Sequence, residues 1–454
     1  MHIKNYTSIT TNSKKVINNS IFVSINNDKS HILEAINKGA SLIVSTEKID
    51  ININNLIVKN IKYFFSYYYK KMFNINMNDF IIIAVTGTDG KTTVAKMLYD
   101  TITERYDALS IGTNGVYYKD KIIKTVNTTP DIETILECFT VAQKEKIKYI
   151  ILEASSEGLL AKRLTGLKID VMIFTNLSHE HLNTHKNMES YFNCKKILLK
   201  LLKENGIVIT NIEDYYGRKL ATDKSINYGL HKGKLRTITF SLESCFTKIF
   251  LKNNDRFYYY KIPFVGVYNI YNFLCVHATI SHLFNISNIK FNNLKAPDGR
   301  FCVIDKNIII DFAHTPNALE NLMMTVKEIY KESEIILVIG SQGGKDKSKR
   351  KYLGMIADKY AKEIILTSED PKDESLIDII FDISIGIINT NYTIELNRKN
   401  AIEKALKLRK EKSVILIVGK GMEETEKHKN ITYSHSDYNC VLNQIKNQAF
   451  LPDS

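Results

Sequence analysis

The chain has 454 residues, 44% apolar and 24% charged, a composition that suits a globular protein and excludes a fibrous or disordered one. Lys plus Arg is 62 against 49 for Asp plus Glu, a net charge of +13. Such an excess marks an anionic partner when it is clustered; here the lysines are dispersed, so no nucleic-acid partner is expected. At about 150 residues per domain, the length suggests roughly three domains.

In chain order, the N-terminal Met1-His2-Ile3-Lys4-Asn5-Tyr6 lacks the apolar stretch of a signal peptide. No apolar run approaches the length of a membrane span. Six cysteines, at 138, 194, 245, 275, 302 and 440, include no C-x-x-C pair, which argues against a zinc site or a disulfide framework and fits a reducing compartment. A cytoplasmic monomer without membrane insertion is the expectation.

A first segment, 1–78, carries a strand at Ser20–Ser24, a helix at Ile32–Lys38 and an aromatic, basic stretch at Tyr63–Phe73. A second, 79–296, opens with the apolar run Phe80–Val85, followed by Tyr149–Leu152 and Val171–Phe174. A third, 297–454, starts at the loop signal Ala296-Pro297-Asp298-Gly299 and holds strands at Asn307–Ile310, Ile335–Ile339, Glu363–Leu366 and Val414–Val418. These Ile/Val/Leu runs do not alternate, so they read as parallel strands covered on both faces. With helical patterns between them, the fold class is α/β with more than one sheet.

The strongest local signal is the strand Ile81–Val85 running into Thr86-Gly87-Thr88-Asp89-Gly90-Lys91-Thr92-Thr93. Val94, Met97, Leu98 and Ile102 then mark a helix. Glycines let a backbone close around phosphate oxygens, and a helix N-terminus offers free N–H groups and a positive dipole end. Lys91 can neutralise phosphate charge, and Thr92 or Thr93 can offer a hydroxyl to Mg²⁺. A plain strand–turn–helix is the alternative; the ordered occurrence of strand, Gly, Lys, Thr and helix argues against it. The first Gly of the G-x-x-x-x-G-K pattern is absent, so this is not a typical GTPase loop.

Strand Tyr149–Leu152 ends in Glu153, and the following strand ends in a stretch that reaches His181. Carboxylates at the C-terminal ends of parallel strands face the ligand crevice. These two adjacent strand ends are expected to bring Glu153 and His181 toward the phosphate loop, a setting for Mg²⁺ of carboxylate, imidazole and phosphate oxygens. Further on, Met188, Phe192, Lys195, Leu199 and Leu202 step by 4, 3, 4 and 3, one helical face with Lys195 inside it. A snorkelling lysine is the plain reading. A buried lysine instead has a lowered pKa and can react with CO₂ to give an anionic carbamate.

These residues together resemble the Mur ligase family, ATP-dependent amide-forming enzymes of peptidoglycan precursor synthesis. Within it they resemble the branch that adds the third residue to UDP-N-acetylmuramoyl-L-alanyl-D-glutamate. The resemblance rests on the phosphate loop (Asp89 standing where the family has Asn), Asn127–Asp131, Glu153–Arg163, Asn176 through His185 and Gly266–Asn272. It continues through Gly299-Arg300, Asp311–Pro316, Gly340 through Arg350 and Gly419–Glu423.

The resemblance implies a three-domain Mur ligase architecture: a small N-terminal α/β domain, a central P-loop ATPase-like parallel sheet and a C-terminal Rossmann-like domain. It implies ATP at Gly87, Thr88, Asp89, Gly90, Lys91, Thr92 and Thr93, with Asn269 on the adenine side, Arg300 at the γ-phosphate and Asp311 at the ribose. Thr92, Glu153, His181 and carbamylated Lys195 would serve Mg²⁺; Lys91, Glu153, His181 and Lys195 would be catalytic. Ser13, Thr128, Thr129, Ser155 and Arg163 would grip the UDP-muramoyl-dipeptide. Lys345, Glu369, Asp370, Lys372, Gly419 and Glu423 would hold the amino acid, expected to be meso-diaminopimelate with L-lysine as the alternative.

Some residues depart from the family pattern. Lys345 and Lys372 stand for arginines, Glu157 for a His, Glu180 and Asn183 for Asp, and Cys302 for a Glu, and the first segment lacks a Gly-x-x-x-Asp-Gly-His loop. They leave two alternatives open: a paralogue acting on a different carboxylate, or a homologue that binds ATP without catalysis.

Overall fold

The computed structural model describes residues 5–449 apart from 120, 179, 181–184, 285–290, 292 and 297–298. Its framework is three separate sheets and a C-terminal hairpin. The N-terminal sheet is fully parallel, in the order β1 (Ser8–Thr10), β2 (Ser20–Val23), β3 (Ala40–Ser45), β4 (Asn54–Ile57). Helix α1 (Lys29–Asn37) starts three residues before the helix expected from the apolar pattern. The reason is Asp28, whose carboxylate caps the N–H groups of Ser30 and His31. One face of this sheet packs on α1 through Phe22, Ile32, Ala35 and Ile43. The other face, with α2 (Ile61–Met72), shares a continuous core with the central sheet through Ile21, Val23, Phe65, Tyr69, Phe80 and Ile82.

The central sheet has eleven strands among the described residues. They are β5 (Ile81–Thr86), β6 (Ala108–Gly112), β7 (Gly115–Tyr118), β8 (Lys121–Ile123), β9 (Tyr149–Glu153), β10 (Ile169–Phe174), β11 (Leu202–Asn211), β12 (Ile226–Gly229), β13 (Leu235–Leu242), β14 (Thr247–Asn253) and β15 (Arg256–Ile262). Their spatial order is β15-β14-β13-β12-β11-β10-β5-β9-β6-β7-β8. From β12 to β6 every pairing is parallel; the outer strands add antiparallel ladders at both edges. The inner strands are buried on both faces, which explains their unbroken apolar runs. Helices α3 (Lys91–Thr103), α4 (Ile132–Lys144), α5 (Ser156–Leu160), α6 (Met188–Lys195), α7 (Tyr215–Leu220) and α8 (Val267–Leu283) belong to this unit.

The topology corrects one expectation. The strands bearing Glu153 and leading to His181 are not neighbours: β5 lies between β9 and β10. The phosphate loop therefore sits at the centre, with one strand end on each side.

The stripe read as one helix from Met188 to Leu202 is also corrected. The α-helix ends at Lys195, a tighter 3₁₀ turn covers Lys196–Leu201, and Leu202 begins β11. A 3₁₀ turn has three residues per turn rather than 3.6, so Leu199 rotates out and is 37% exposed. Lys195 still falls on the buried side.

The C-terminal sheet runs β16-β17-β21-β18-β19-β20, from β16 (Cys302–Asp305), β17 (Ile308–Asp311), β18 (Glu334–Ile339), β19 (Glu363–Leu366), β20 (Tyr392–Ile394) and β21 (Ser413–Val418). All its pairings are parallel except β16 with β17. Its two faces make separate cores. Helices α9 (Pro316–Ile329), α10 (Ser348–Tyr360) and α11 (Leu376–Ser384) cover one. Helices α12 (Arg398–Lys407) and α13 (Asp437–Ala449) cover the other. A hairpin, β22 (Thr425–His428) and β23 (Ile431–Ser434), precedes α13. No helix among the described residues is long and apolar enough to cross a membrane.

Candidate active site

The loop after β5 is shaped by its glycines. Gly90 has φ +85°, and a Cβ there would stand 2.4 Å from the Asn272 Oδ1. A Cβ on Gly87 would meet the Thr175 hydroxyl at 1.9 Å. Gly90 is also the N-cap of α3 and brings no side chain to cap it. The first N–H groups of the helix thus face the loop without a capping side chain, as an anion site requires. Lys91 folds back so that its Nζ donates to the carbonyls of Gly87 (3.0 Å) and Thr88 (2.7 Å).

Glu153, at the end of β9, is 2% exposed. It accepts from the Thr92 hydroxyl (2.8 Å), the Thr113 N–H (3.0 Å) and the Thr113 hydroxyl (3.1 Å). Burial pushes its pKa up; these hydrogen bonds and the charge of Lys91 pull it back. Next to it, the Thr128 and Thr113 hydroxyls are 3.1 Å apart. The Thr129 hydroxyl donates to the Glu153 carbonyl (2.7 Å) and lies 3.0 Å from that of Ser155. Arg163 donates to the Thr129 carbonyl at 2.7 Å.

Lys195 is 1% exposed. Its Nζ donates to the Gly87 carbonyl at 2.8 Å and stands 4.5 Å from the centre of the Tyr191 ring. Burial and then the charge of Lys91 hold its pKa well below the usual lysine range. A lowered pKa favours the unprotonated amine that carbamate formation requires. His185 stacks on the same Tyr191 ring, with ring centres 4.7 Å apart. His181 lies outside the described residues. Among the described residues no three His, Cys, Asp or Glu side chains gather as a metal cluster.

Two cavities meet at this loop. The first, of about 270 Å³, lies between the central and C-terminal sheets and is lined by residues from Thr88 to Thr93, with Thr128, Ser155, Arg163, Lys195 and Arg300. From the C-terminal sheet it takes Lys345, Glu369 and Gly419. The second, of about 290 Å³, shares Asp89, Gly90, Thr93 and Arg300 and adds Asn269 and Asp311. There Asn269 is locked by the Val265 carbonyl (2.8 Å) and by the Asn272 amide (3.1 Å). Asp311 accepts from the N–H groups of Phe301 and Ala313, both at 2.7 Å, and burial raises its pKa against the pull of Arg300. The Arg300 guanidinium packs 5.0 Å from the centre of the Phe312 ring.

The structure therefore brings most of the sequence-derived residues to one place, but not all. Gly87 and Thr129 do not line the first cavity but hydrogen-bond to Lys195 and Ser155, which do. Ser13 does not reach either cavity; its hydroxyl donates to Glu34 at 2.6 Å in the N-terminal sheet. Asp370 and Lys372 flank Pro371 with φ of +47° and +54°, and neither lines the first cavity. Asp370 accepts from Lys420 at 2.9 Å, and Lys420 lies 3.1 Å from Glu423. Lys372 pairs by its backbone with the hairpin, its N–H donating to the Lys427 carbonyl at 3.0 Å. Burial, followed by the charge of Lys345, lowers the Lys372 pKa, so the two ammonium groups are neighbours.

Sequence reasoning missed His314, Asp346 and Lys349 as cavity residues. It noted Glu157 and Glu180 only as departures, and both line the cavity. Their contacts join segments far apart in sequence: His314 Nε2 is 3.3 Å from Glu180, and Lys345 Nζ is 3.9 Å from Glu157. No local pattern encodes such pairs.

The comparisons with known proteins agree with this geometry. Residues 85–280 match the Mur ligase middle domain and residues 299–421 the Mur ligase glutamate ligase domain. The chain is 31% identical over 440 residues to a UDP-N-acetylmuramoyl-L-alanyl-D-glutamate–2,6-diaminopimelate ligase of Fusobacterium nucleatum, covering 92% of this chain and 90% of that one. It is 32% identical to the ligase of the same name in Clostridium perfringens, covering 96% and 94%. It is 30% identical to UDP-N-acetylmuramyl-tripeptide synthetase 2 of Oceanobacillus iheyensis, covering 98% and 94%. Among solved structures it resembles a UDP-N-acetylmuramoyl-L-alanyl-D-glutamate–2,6-diaminopimelate ligase, with TM-score 0.67 and 24% identity over 98% and 95% of the two chains. A MurF ligase from Thermotoga maritima in complex with ADP gives TM-score 0.68 at 15% identity, over 99% of each chain. With relatives of this similarity spanning nearly its whole length, and both domain models in order, the chain belongs to the Mur ligase family.

Proposed function

We propose that this protein is an ATP-dependent ligase that adds meso-diaminopimelate to UDP-N-acetylmuramoyl-L-alanyl-D-glutamate in the synthesis of a peptidoglycan precursor. The observation that carries the reading is the junction of two cavities at one phosphate loop, with cationic side chains supplied from two sheets. We assign residues 1–78 to the uridine nucleotide, 79–296 to ATP and 297–454 to the amino acid. One chain lines both cavities, which suits a monomer. The six cysteines are free, which suits the cytoplasm.

ATP would lay its phosphates on the loop Gly87–Thr93 and its nucleoside in the second cavity, near Asn269 and Asp311. Thr92 and Glu153 offer oxygen donors only, the set a hard cation such as Mg²⁺ takes together with phosphate oxygens. Mg²⁺ would neutralise phosphate charge there, and a carbamate on Lys195 would add an anionic oxygen ligand. The γ-phosphoryl group passes to an oxygen of the D-glutamate side-chain carboxylate; a P–O bond forms, the bond to ADP breaks, and an acyl phosphate results. Lys91 and Arg300 stabilise the charge in flight by position rather than by covalent chemistry. The amine of the amino acid then attacks the acyl carbon, loses its proton, and inorganic phosphate leaves.

The amino-acid end of the cavity carries both signs: Lys345 and Lys349 beside Glu157, Glu180 and Glu369. A diamino diacid needs both. L-lysine lacks the distal carboxylate of meso-diaminopimelate and would bring Lys345 and its neighbour Lys372 one anion fewer, which favours meso-diaminopimelate. The test is phosphate release from ATP, Mg²⁺ and the UDP-muramoyl-dipeptide with meso-diaminopimelate, L-lysine or L-ornithine. Release with meso-diaminopimelate is expected. Release with L-lysine alone overturns the specificity; no release from folded protein with any of the three overturns the ligase assignment.

A further inference from the structure

Asp89 lies inside the phosphate loop, where an added anion opposes phosphate binding. Its contacts explain its presence. The backbone is held within the central sheet: its N–H donates to the Asn176 side chain (2.9 Å), and its carbonyl accepts from the Thr175 hydroxyl (2.7 Å) and the Asn176 amide (3.2 Å). The carboxylate reaches across to the C-terminal domain. It accepts from the Thr315 hydroxyl at 3.1 Å and the Asn317 side-chain amide at 3.0 Å, 226 and 228 residues away, with Ser178 on its near side at 3.2 Å.

Thr315 is the N-cap of α9, and Asn317 lies in its first turn. A carboxylate at the N-terminus of a fourteen-residue helix meets the positive end of its dipole. A second carboxylate crosses the same gap one residue earlier: Glu180 lies 3.3 Å from His314 Nε2 and 3.9 Å from Lys349 Nζ. Both carboxylates follow adjacent parallel strands, β5 and β10, and both meet the start of α9 or α10. Asp89 holds three hydroxyl or amide donors here, an arrangement suited to docking rather than to a cation.

We propose that Asp89, seconded by Glu180, is an interdomain latch: a positioning residue that docks the first turn of α9 on the phosphate loop and closes the C-terminal sheet over the first cavity. The assignment goes beyond the ligase reading, because docking is a property of the chain whatever acceptor it uses. Asp89 serves two opposed ends, since its charge lowers affinity for a polyphosphate while its hydrogen bonds hold the domains together. Loss of the carboxylate should therefore raise the affinity for ATP while lowering turnover.

The experiment uses the full chain with Asp89→Asn, Asn317→Ala and the double variant. Asn317 is exposed, so its truncation leaves no core cavity and keeps the test open if the loop variant misfolds. Hydrogen exchange in the first turn of α9 and the radius of gyration by X-ray scattering are read without substrates. Each single variant should speed exchange about tenfold and enlarge the particle. The double variant should add little, as expected for two ends of one contact. In steady-state assays, Asp89→Asn should lower KM for ATP severalfold while kcat falls about tenfold; Asn317→Ala, at a residue that also borders the second cavity, should lower kcat without that gain in affinity. Unchanged exchange and radius in both single variants, or strictly additive effects in the double, overturn the latch. Exchange and scattering need no turnover, so the latch and the ligase reading fail separately.

Discussion

Lys195→Met separates a chemical role for the buried lysine from a structural one. The two side chains have similar length, so the packing changes little. The substitution removes one hydrogen bond, from Nζ to the Gly87 carbonyl at 2.8 Å, a net loss of about 1 kcal/mol. That carbonyl is not orphaned, because Lys91 Nζ also donates to it at 3.0 Å. Against the loss, a 1% exposed amine no longer has to be kept out of water, which is worth about 1–3 kcal/mol. The net effect on stability should be neutral to stabilising, within about 2 kcal/mol of the parent. The effect on turnover should be far larger. Losing a preorganised charge-stabilising group costs on the order of 10³ in kcat, or about 4 kcal/mol. The assay pairs thermal unfolding with phosphate release, and the parent enzyme is also assayed in CO₂-depleted buffer, where activity should fall and return with bicarbonate. A Met variant retaining more than a tenth of the parent activity would refute the carbamate reasoning. So would one whose activity loss tracks a fall in melting temperature.

Further expectations follow from single side chains. His277 is fully buried, and burial lowers its pKa to about 3 from 6.5. Between those values the unfolded chain binds the extra proton, so stability rises with pH across the window and is lost on acidification, by on the order of 5 kcal/mol in all. His277→Leu should flatten that dependence in urea titrations at pH 4 and 7; an unchanged slope refutes the assignment. Arg398 is fully buried, donating to both Asp437 oxygens (2.8 and 2.7 Å) and to the carbonyls of Ser368 and Val418. Arg398→Met leaves Asp437 charged and buried and should destabilise the C-terminal unit by about 3–5 kcal/mol, read as its own unfolding transition; a loss under about 1 kcal/mol counts against it. Gly90→Ala forces a Cβ to 2.4 Å from Asn272 at φ +85° and should weaken ADP binding at least tenfold by calorimetry, with unaltered affinity as the contrary result.

How much of this was legible in the sequence depends on range. The strand Ile81–Thr86, its loop and α3 form one contiguous unit, so residue order alone encodes the phosphate cradle. Glu153 was legible for the same reason, as the last residue of a buried strand. Strand order was not: nothing within β9 or β10 reports that β5 lies between them. The stripe ending at Leu202 failed where α-helical periodicity gave way to a 3₁₀ turn, although Lys195 precedes that change and kept its place. Lys372 lies outside the lining of the first cavity, and the non-glycine positions on either side of Pro371 take positive φ, a conformation that sequence pattern disfavours. The Asp89 to Thr315 contact spans 226 residues and has no local signature.

The placement of the cavities bears on why two sheets are needed. Each sheet presents the C-terminal ends of its parallel strands to the gap: Thr86 and Glu153 from one, Ile339, Leu366 and Val418 from the other. Loops after those ends carry the phosphate cradle on one side, and Lys345, Glu369 and Gly419 on the other. In the proposed mechanism, a phosphorylated carboxylate held by the first sheet alone would be exposed to water, which competes with an amine for it. Cations drawn from both sides, Lys91 and Arg163 facing Lys345 and Lys349, repel one another while the gap is empty. An anionic occupant between them removes that repulsion. The carboxylates Asp89, Glu157 and Glu180 meet partners across the same gap and offset it beforehand. By this charge balance, the approach of the two sheets is favoured most when a polyanion lies between them.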